Sequence, residues 1–244
     1  MLSDMTPFKI FGNVYFVGCK AYSSHIIDTG DGLIMIDNGY EENGPAVLES
    51  MEMLGLKPED IKIILISHGH GDHFGATPQI LARAPHAKTY IGEMDSRVPS
   101  LNFKPDVLMY DGDVIELGNT KIDVMWTPGH TMGVMSFFFD VTENGRTVRA
   151  GMFGGNGNKQ VMREWLEPRG LYTTQREYFL RTIAKLRKVH VDLHLGNHCA
   201  NNDTKGKYEQ MATAKENPFI DPESWTHLLD VRERQIRKII EEDL

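Results

Sequence analysis

The stretch IKIILISHGHGDH, residues 61–73, decides both the fold and the chemistry expected of this chain. Its first half, residues 61–67, is an apolar run rich in β-branched residues, which predicts a strand buried on both faces. Four residues of types that bind metals follow at once: His68, His70, Asp72 and His73. Gly69 and Gly71 stand between them and allow a tight loop in which the side chains converge. The pattern therefore predicts a metal site at the carboxyl end of a buried strand.

A chance cluster of solvent-exposed loop histidines is the alternative interpretation of this stretch. Four ligand-type residues within six positions, flanked by glycines and preceded by an apolar strand, favour the metal site. Neutral imidazole and carboxylate groups are zinc ligands, and iron and manganese accept the same donors. The donor types therefore predict a zinc site, with iron or manganese as alternatives.

Outward from this stretch, the sequence predicts two β-rich regions that are each followed by helices. Before it, strands are predicted at residues 14–17, 24–28 and 33–36, with a helix from Pro45 to Gly55. After it come a helix at 77–83, a strand at 88–91 and a second β meander at 107–152. A helix at 173–189, a strand at 191–195 and an amphipathic helix at 222–242 complete the chain. This order predicts an α/β protein of four layers, helix, sheet, sheet and helix.

Composition narrows the classes of function. The chain has 244 residues with 26 Lys and Arg against 34 Asp and Glu, a formal net charge of −8, which argues against nucleic-acid binding. The 41% hydrophobic and 25% charged content is that of a globular protein, and no linker divides it, so we expect a single domain over residues 1–244. Two cysteines cannot build a disulfide framework. Without an export signal or an 18-residue apolar run, the sequence as given predicts a cytoplasmic protein that does not bind membranes, whereas a trimmed signal would make it periplasmic or secreted.

The residues quoted above resemble the metallo-β-lactamase superfamily, whose signature is His-x-His-x-Asp-His at the end of a strand. The resemblance covers essentially the whole chain, and it implies the four-layer αβ/βα sandwich of that family. The family's later histidines are matched by TPGHTMG around His130 and LGNHCAN around His198. The resemblance implies one zinc site made of His68, His70 and His130, and a second made of Asp72, His73 and His198. Each site then has three protein ligands and an open position, as in catalytic zinc sites.

The late histidine has a competitor in the sequence. His194 lies within the predicted strand at 191–195 and is expected to point into a packed layer, whereas His198 follows that strand on a Gly-Asn turn. We therefore favour His198 as the ligand. His130 gains its predicted ligand role from its position after a strand of the second meander.

The lack of a bridging ligand after the second meander resembles one subclass of metallo-β-lactamases. Many members of the superfamily place a bridging Asp after the second meander, and one β-lactamase subclass places a Cys there, but residues 147–161 contain no Asp, Glu or Cys. This resembles the third subclass of metallo-β-lactamases, as does NPFIDPESW at 217–225. The serine usual near the missing ligand is also absent, and Gly154-Gly155-Asn156-Gly157-Asn158 occupies the region. Asn156 and Asn158 are candidate substrate contacts, although asparagines beside glycines are also common turn residues.

The resemblance implies a metal-dependent hydrolase that acts on a small-molecule substrate. Its primary expected reaction is the opening of a β-lactam, a cyclic amide, by a hydroxide that bridges the metals, with Asp72 as both ligand and hydrogen-bond partner of the nucleophile. Hydrolysis of a lactone, ester or thioester in the cytosol is the alternative. A metal-binding protein without turnover is a third hypothesis, which the two complete ligand sets disfavour. The sequence makes no prediction of oligomeric state.

Overall fold

A computed structural model describes residues 4–243, and within them two β-sheets carry helices on their outer faces. The first sheet contains seven strands, β1 to β7 in sequence order: Phe8–Phe11, Val14–Phe16, His25–Asp28, Leu33–Ile36, Ile61–Ile66, Lys88–Gly92 and Val107–Met109. The second contains five, β8 to β12: Val114–Leu117, Thr120–Trp126, Met135–Glu143, Arg146–Met152 and Leu193–His194. The α-helices α1 to α7 are Gly44–Met53, Gly71–Phe74, Thr77–Arg83, Arg163–Leu166, Gln175–Leu186, Thr204–Gln210 and Pro222–Glu242.

Three hydrophobic clusters separate four layers, which confirms the predicted αβ/βα sandwich. The cluster between the two sheets includes Ile36 of β4 and Phe139 of β10. The cluster between the first sheet and its helices includes Met51 of α1 and Ile64 of β5. The cluster on the outer face of the second sheet includes Trp225 of α7, packed against β10. Alternate residues of each strand serve alternate layers, as the period of a strand requires.

The first sheet changes from antiparallel to parallel pairing at β4, and this change places the site. Strands β1 to β4 pair antiparallel, whereas β4, β5, β6 and β7 pair parallel. The carboxyl ends of β4, β5 and β6 therefore meet at one edge of the sheet. The segments that leave those ends begin with Asp37, Ser67 and Glu93. Ligands of open parallel sheets bind at this type of edge.

The strand at Val107–Met109 corrects one boundary of the sequence prediction. Residues 107–152 were predicted as one meander, but Val107–Met109 pairs parallel with β6 and so belongs to the first sheet. The physical reason is local: the side chain of Asp106 accepts hydrogen bonds from the Thr89 amide and hydroxyl at 2.9 Å each, which holds this segment beside β6. The meander of the second sheet starts at Val114.

Other predicted elements shift only at their ends. The helix predicted at 173–189 spans Gln175–Leu186, and the strand predicted at 191–195 is reduced to Leu193–His194. The helices at Thr77–Arg83 and Pro222–Glu242 have their predicted bounds. Across residues 4–243, no helix is both long enough and apolar enough to span a bilayer.

Candidate metal centre

Loops from both sheets bring His68, His70 and His130, here called the first ligand set, to one point. His68 and His70 follow β5, and His130 follows β9. The nitrogen pairs His68 Nε2–His70 Nδ1, His70 Nδ1–His130 Nε2 and His130 Nε2–His68 Nε2 are 3.1, 3.0 and 3.1 Å apart. Three ring nitrogens thus form a nearly equilateral triangle at the meeting of the two sheets.

The outer nitrogens of this set fix which inner nitrogens carry lone pairs. The Nδ1 of His68 lies 2.8 Å from the carbonyl oxygen of Gly154, and the Nδ1 of His130 lies 3.0 Å from that of Gly157. A carbonyl oxygen only accepts, so each Nδ1 donates its proton and each Nε2 presents a lone pair toward its neighbours. Lone pairs that face one another need a cation between them, and this arrangement fits a zinc site.

Asp72, His73 and His198, the second ligand set, converge beside the first. Their ligand atoms lie within 4.8 Å of one another, with His73 Nε2 and His198 Nε2 each 3.4 Å from Asp72 Oδ2. The His73 ring centroid is 4.0 Å from that of His68, so the two sets are adjacent. His198 Nδ1 donates to the carbonyl oxygen of Ala21 at 2.8 Å, which leaves its Nε2 free to bind a metal.

The environment of His73 tests whether a second metal fits. Its Nδ1 donates to Asp37 Oδ2 at 2.7 Å, while its Nε2 is buried without a hydrogen-bond partner among the described residues. A buried ring nitrogen without a partner costs free energy unless something binds it. A metal held with Asp72 and His198 would satisfy this atom, so the donor set fits the group that the sequence predicts.

The two sets differ in charge. Burial, reinforced by the neighbouring histidines, lowers the pKa of His70 to about 4, that of His130 to about 3 and that of His68 well below its usual value. The first set is therefore neutral at pH 7. In the second set, burial opposes both charges, but the carboxylates of Asp37 and Asp72 raise the pKa of His73 to about 9. Burial raises the pKa of Asp72, but the positive charge of the adjacent His73 outweighs it and holds that pKa well below its usual range.

Asp95 ties together the two loops that supply the first ligand set. Its carboxylate accepts hydrogen bonds from Gly69 N at 2.7 Å, from the Thr131 hydroxyl at 2.6 Å and from Gly133 N at 3.0 Å. Gly69 lies between His68 and His70, and Thr131 follows His130. One buried carboxylate thus sets the distance between the loops, and burial raises its pKa.

The glycines at 154–157 explain what takes the place of the usual ligand or serine. A Cβ at Gly157 would lie 2.9 Å from Cε1 of His130, and a Cβ at Gly154 would lie 1.9 Å from the carbonyl oxygen of Met135. The backbone therefore passes directly against His130 and donates no side chain there. Its carbonyl oxygens instead accept the histidine Nδ1 protons.

Both ligand sets open into a cleft of about 830 Å³. Tyr40 and Trp165 line it, and the Trp165 ring centroid is 6.4 Å from that of His70. The predicted contacts Asn156 and Asn158 also line it, but they differ. Asn156 is buried, donates to Asn197 Oδ1 at 3.1 Å and accepts from Arg232, so its amide is already engaged. The Asn158 side chain has no hydrogen bond to another described residue and is the more available of the two.

The structure places His194 and His198 in different surroundings. His198 lies in the second ligand set, whereas His194 lies in β12 with its Nδ1 2.9 Å from the Ser224 hydroxyl and its ring against Trp225. The six predicted ligands form the two groups expected, and His194 joins neither.

Three residues that shape the site, Asp37, Asp95 and Arg232, are not among those predicted from the sequence. Asp37 could have been identified from the sequence, because it is an acidic residue directly after a buried strand. In the structure its φ of 55° places it at a sharp turn. Asp95 and Arg232 act through contacts with segments far away in sequence, and neither stands in a recognisable motif.

Comparison with known proteins gives two kinds of relative. Curated hydroxyacylglutathione hydrolases are similar over short stretches: that of Francisella tularensis subsp. novicida (strain U112) is 37% identical over 89 residues, which are 36% of this chain and 33% of the relative. That of Synechocystis sp. (strain ATCC 27184 / PCC 6803 / Kazusa) is 35% identical over 94 residues, 38% of this chain and 34% of the relative. Each match thus spans about a third of the relative's length.

Solved structures match over nearly the whole chain. The native FEZ-1 metallo-beta-lactamase from Legionella gormanii superposes with a TM-score of 0.90 at 27% identity, covering 99% of this chain and 98% of that one. BJP-1, a subclass B3 metallo-beta-lactamase of Bradyrhizobium japonicum, gives a TM-score of 0.87 at 25% identity, covering 98% and 95%.

The family profile described as the metallo-beta-lactamase superfamily matches residues 17–189, which include β5 and the first five of the six predicted ligands in chain order. Members of this superfamily are metal-dependent hydrolases that bind a dinuclear metal centre. The chain belongs to the metallo-β-lactamase superfamily and is a metal-dependent hydrolase.

Proposed function

We propose that this protein is a dinuclear zinc hydrolase that opens β-lactam rings. His68, His70 and His130 would hold one zinc, and Asp72, His73 and His198 the other. Such an activity would make the protein a determinant of antibiotic resistance.

The observation that carries this proposal is that no side chain of the described residues bridges the two sets. The segment that would supply it runs past His130 as Gly154 to Gly157, and the Cβ positions of its glycines are blocked by His130 and Met135. Asp72 is the single carboxylate in the two candidate groups of the described residues. Full-length similarity to proteins named metallo-beta-lactamases supports the same reading.

The zinc pair would supply Lewis acidity and activate water at neutral pH. The side chains of the protein position the water molecule and the substrate. Asp72, with one fifth of its side chain exposed, directs a carboxylate oxygen toward the cleft, where it can hold and orient a water molecule. Its low pKa keeps that oxygen an acceptor across the neutral range. Trp165 and Tyr40 bound the space into which a substrate ring fits.

Hydrolysis of a thioester, lactone or ester is the second candidate function. The observation that favours it is the name of the curated relatives, hydroxyacylglutathione hydrolase, although each match covers only about a third of their length. The same ligand sets serve both reactions, so the substrate contacts in the cleft must decide between them.

Comparison of kcat/KM across substrate classes tests the proposal. We expect turnover of a chromogenic cephalosporin by the zinc-loaded protein that exceeds turnover of a lactone and of a glutathione thioester. A preference for either alternative by about a hundredfold, or about 2.7 kcal/mol of transition-state discrimination, would reject β-lactam opening as the main activity.

Metal analysis tests the dinuclear centre separately. Purified zinc-replete protein should contain close to two equivalents, because both donor sets are complete. A single equivalent that fills only the first set would contradict the dinuclear proposal while leaving a mononuclear hydrolase possible.

A further inference from the structure

The C-terminal helix α7 contributes one residue to the cleft, Arg232. Its guanidinium makes four hydrogen bonds: Nε and Nη2 to Asn156 Oδ1 at 3.2 and 3.0 Å, Nη2 to Asn201 Oδ1 at 3.3 Å and Nη1 to Gln235 Oε1 at 2.8 Å. All the acceptors are neutral amide oxygens. The four contacts use four of the five N–H donors of a guanidinium, which leaves one donor on Nη1 for a ligand.

Arg232 differs from the other arginines of the described chain. Arg176, which is more deeply buried, pairs with the carboxylate of Asp243. The arginines without a carboxylate within ion-pair distance are otherwise exposed: Arg97, Arg146, Arg169 and Arg234. Arg232 alone is both partly buried and without a carboxylate partner, and burial lowers its pKa. A desolvated charge of this kind is costly unless an opposite charge approaches it.

The charges of the cleft leave this cation unbalanced. Asp72 is the one acidic residue among the cleft-lining residues, and it belongs to the second ligand set. Lys159 is a second cation on the cleft wall, and it too has no ion pair among the described residues. The side chains that line the cleft therefore carry one more positive than negative formal charge before any metal is counted, which favours an anionic ligand beside Arg232.

We propose that Arg232 is a specificity-determining residue that binds a carboxylate group of the substrate, with Lys159 adding positive charge at the cleft wall. This inference deepens the proposed function, since it names a chemical group that the substrate of the same site carries. A guanidinium matches a carboxylate with two parallel N–H···O bonds, and such charge-assisted bonds are about twice as strong as those to neutral amides. A carboxylate can use the unengaged Nη1 donor and displace the weaker contact to Asn201, at 3.3 Å.

Binding of a simple carboxylate tests the inference without turnover. We would measure phenylacetate and its neutral analogue phenylacetamide by calorimetry on the zinc-loaded protein, the R232Q and R232K variants and an R234Q control. Arg234 lies on the same helix, is exposed and has no hydrogen-bond partner among the described residues. R234Q therefore removes the same charge from a surface position that does not line the cleft. Phenylacetate should bind at least tenfold more weakly to R232Q, and R232K should recover part of that loss. Phenylacetamide should bind all four proteins alike, and R234Q should match the wild type.

Two results would overturn the inference. One is phenylacetate binding that is unchanged in R232Q or too weak to measure in the wild type. The other is an equal loss of phenylacetate and phenylacetamide binding in R232Q, because a residue that only braces α7 against Asn156 would affect both probes. Zinc content and thermal unfolding of R232Q show whether the variant is intact, and R232K supplies the comparison if R232Q does not fold.

A turnover arm separates this inference from the proposed function. With a cephalosporin and the methyl ester of its carboxylate, R232Q should raise KM for the acid at least tenfold and leave the ester unchanged, with kcat less affected than KM. If no β-lactam is opened but phenylacetate binding still depends on Arg232, the proposed function fails and the carboxylate site stands. If R232Q opens the acid as well as the wild type does, and the ester likewise, the carboxylate site is refuted and the proposed function stands.

Discussion

The two ligand sets lie side by side, yet their surroundings differ. In the first set, His68 is fully buried, His130 is 8% exposed, and backbone carbonyls of the glycine segment orient both rings. In the second set, the His198 side chain is 37% exposed, and the buried carboxylate of Asp37 orients His73. Both sets border the cleft, but the first is neutral and has two rings oriented by carbonyls of residues 154–157, whereas the second carries the charge of Asp72 and has one ring, His73, oriented by a carboxylate. Two adjacent sites with three protein ligands each are thus organised by different physical means.

Loss of Asp72 should have the largest effect, because it breaks the second set and removes the acceptor that faces the cleft. We expect Asp72→Ala to lower kcat on the order of a thousandfold and the metal content from two equivalents toward one. Exposed Asp31, changed to Ala, provides the control and should retain both. Two full equivalents of metal in the Asp72→Ala protein would contradict the assignment of Asp72 as a ligand.

Substitution of His198 and of His194 tests which late histidine belongs to the second ligand set. His198→Ala should lose the second metal and at least a hundredfold in kcat, since it removes one of three ligands. His194→Ala should keep two equivalents and most activity, because its Nδ1 is bonded to Ser224 outside both sets. Exposed His86→Ala is the neutral control. Retention of the second metal by His198→Ala together with its loss in His194→Ala would reverse the assignment.

Substitution of the buried residues Asp37 and Asp95 should weaken metal binding by one ligand set at a time. Asp37→Asn should lower the affinity for the second metal by about ten- to hundredfold, because the amide cannot orient His73 as a carboxylate does. Asp95→Asn should act on the first set, since one amide oxygen cannot accept from Gly69, Thr131 and Gly133 together. Stepwise chelation with metal analysis at each step distinguishes these outcomes. Equal weakening of both metals by each variant would show that the two sets form one unit.

The smallest effect concerns His25, a buried histidine outside both sets. Its Nδ1 has no hydrogen-bond partner among the described residues, and burial lowers its pKa to about 4, with buried His194 nearby at a pKa of about 3. The folded-state pKa of His25 lies below its unfolded value, so the unfolded chain gains the proton first and stability falls between about pH 6.5 and pH 4.

His25→Leu removes this pH dependence. Relative to the variant, the wild type should lose about 2 kcal/mol of unfolding free energy between about pH 7.5 and pH 4.5, as measured by urea denaturation at each pH. A stability difference that stays constant with pH would show that His25 titrates normally in the folded protein.

Local patterns explain why much of the fold and the site could be predicted. The buried strand at Ile61–Ile66, the helix at Thr77–Arg83 and the helix at Pro222–Glu242 follow from periodicity and turn residues, which are properties of adjacent positions. The placement of Val107–Met109 could not be predicted in this way, because its partner strand and the side-chain contact of Asp106 with Thr89 are set by the path of the chain.

The αβ/βα sandwich and the candidate ligands follow from the sequence alone. The sandwich follows from the order of the predicted strands and helices, and the ligands follow from the His-x-His-x-Asp-His spacing, which concentrates donors directly after one strand. The orientation of those donors, and the side chains that face them, depend on contacts between segments that are distant in the sequence. Asp37 reaches His73 across 36 positions, Asp95 reaches Gly133 across 38, and Arg232 reaches Asn156 across 76. Such contacts form between segments that meet at one edge of the sheets but are far apart in the sequence. A local pattern of residues therefore cannot predict them.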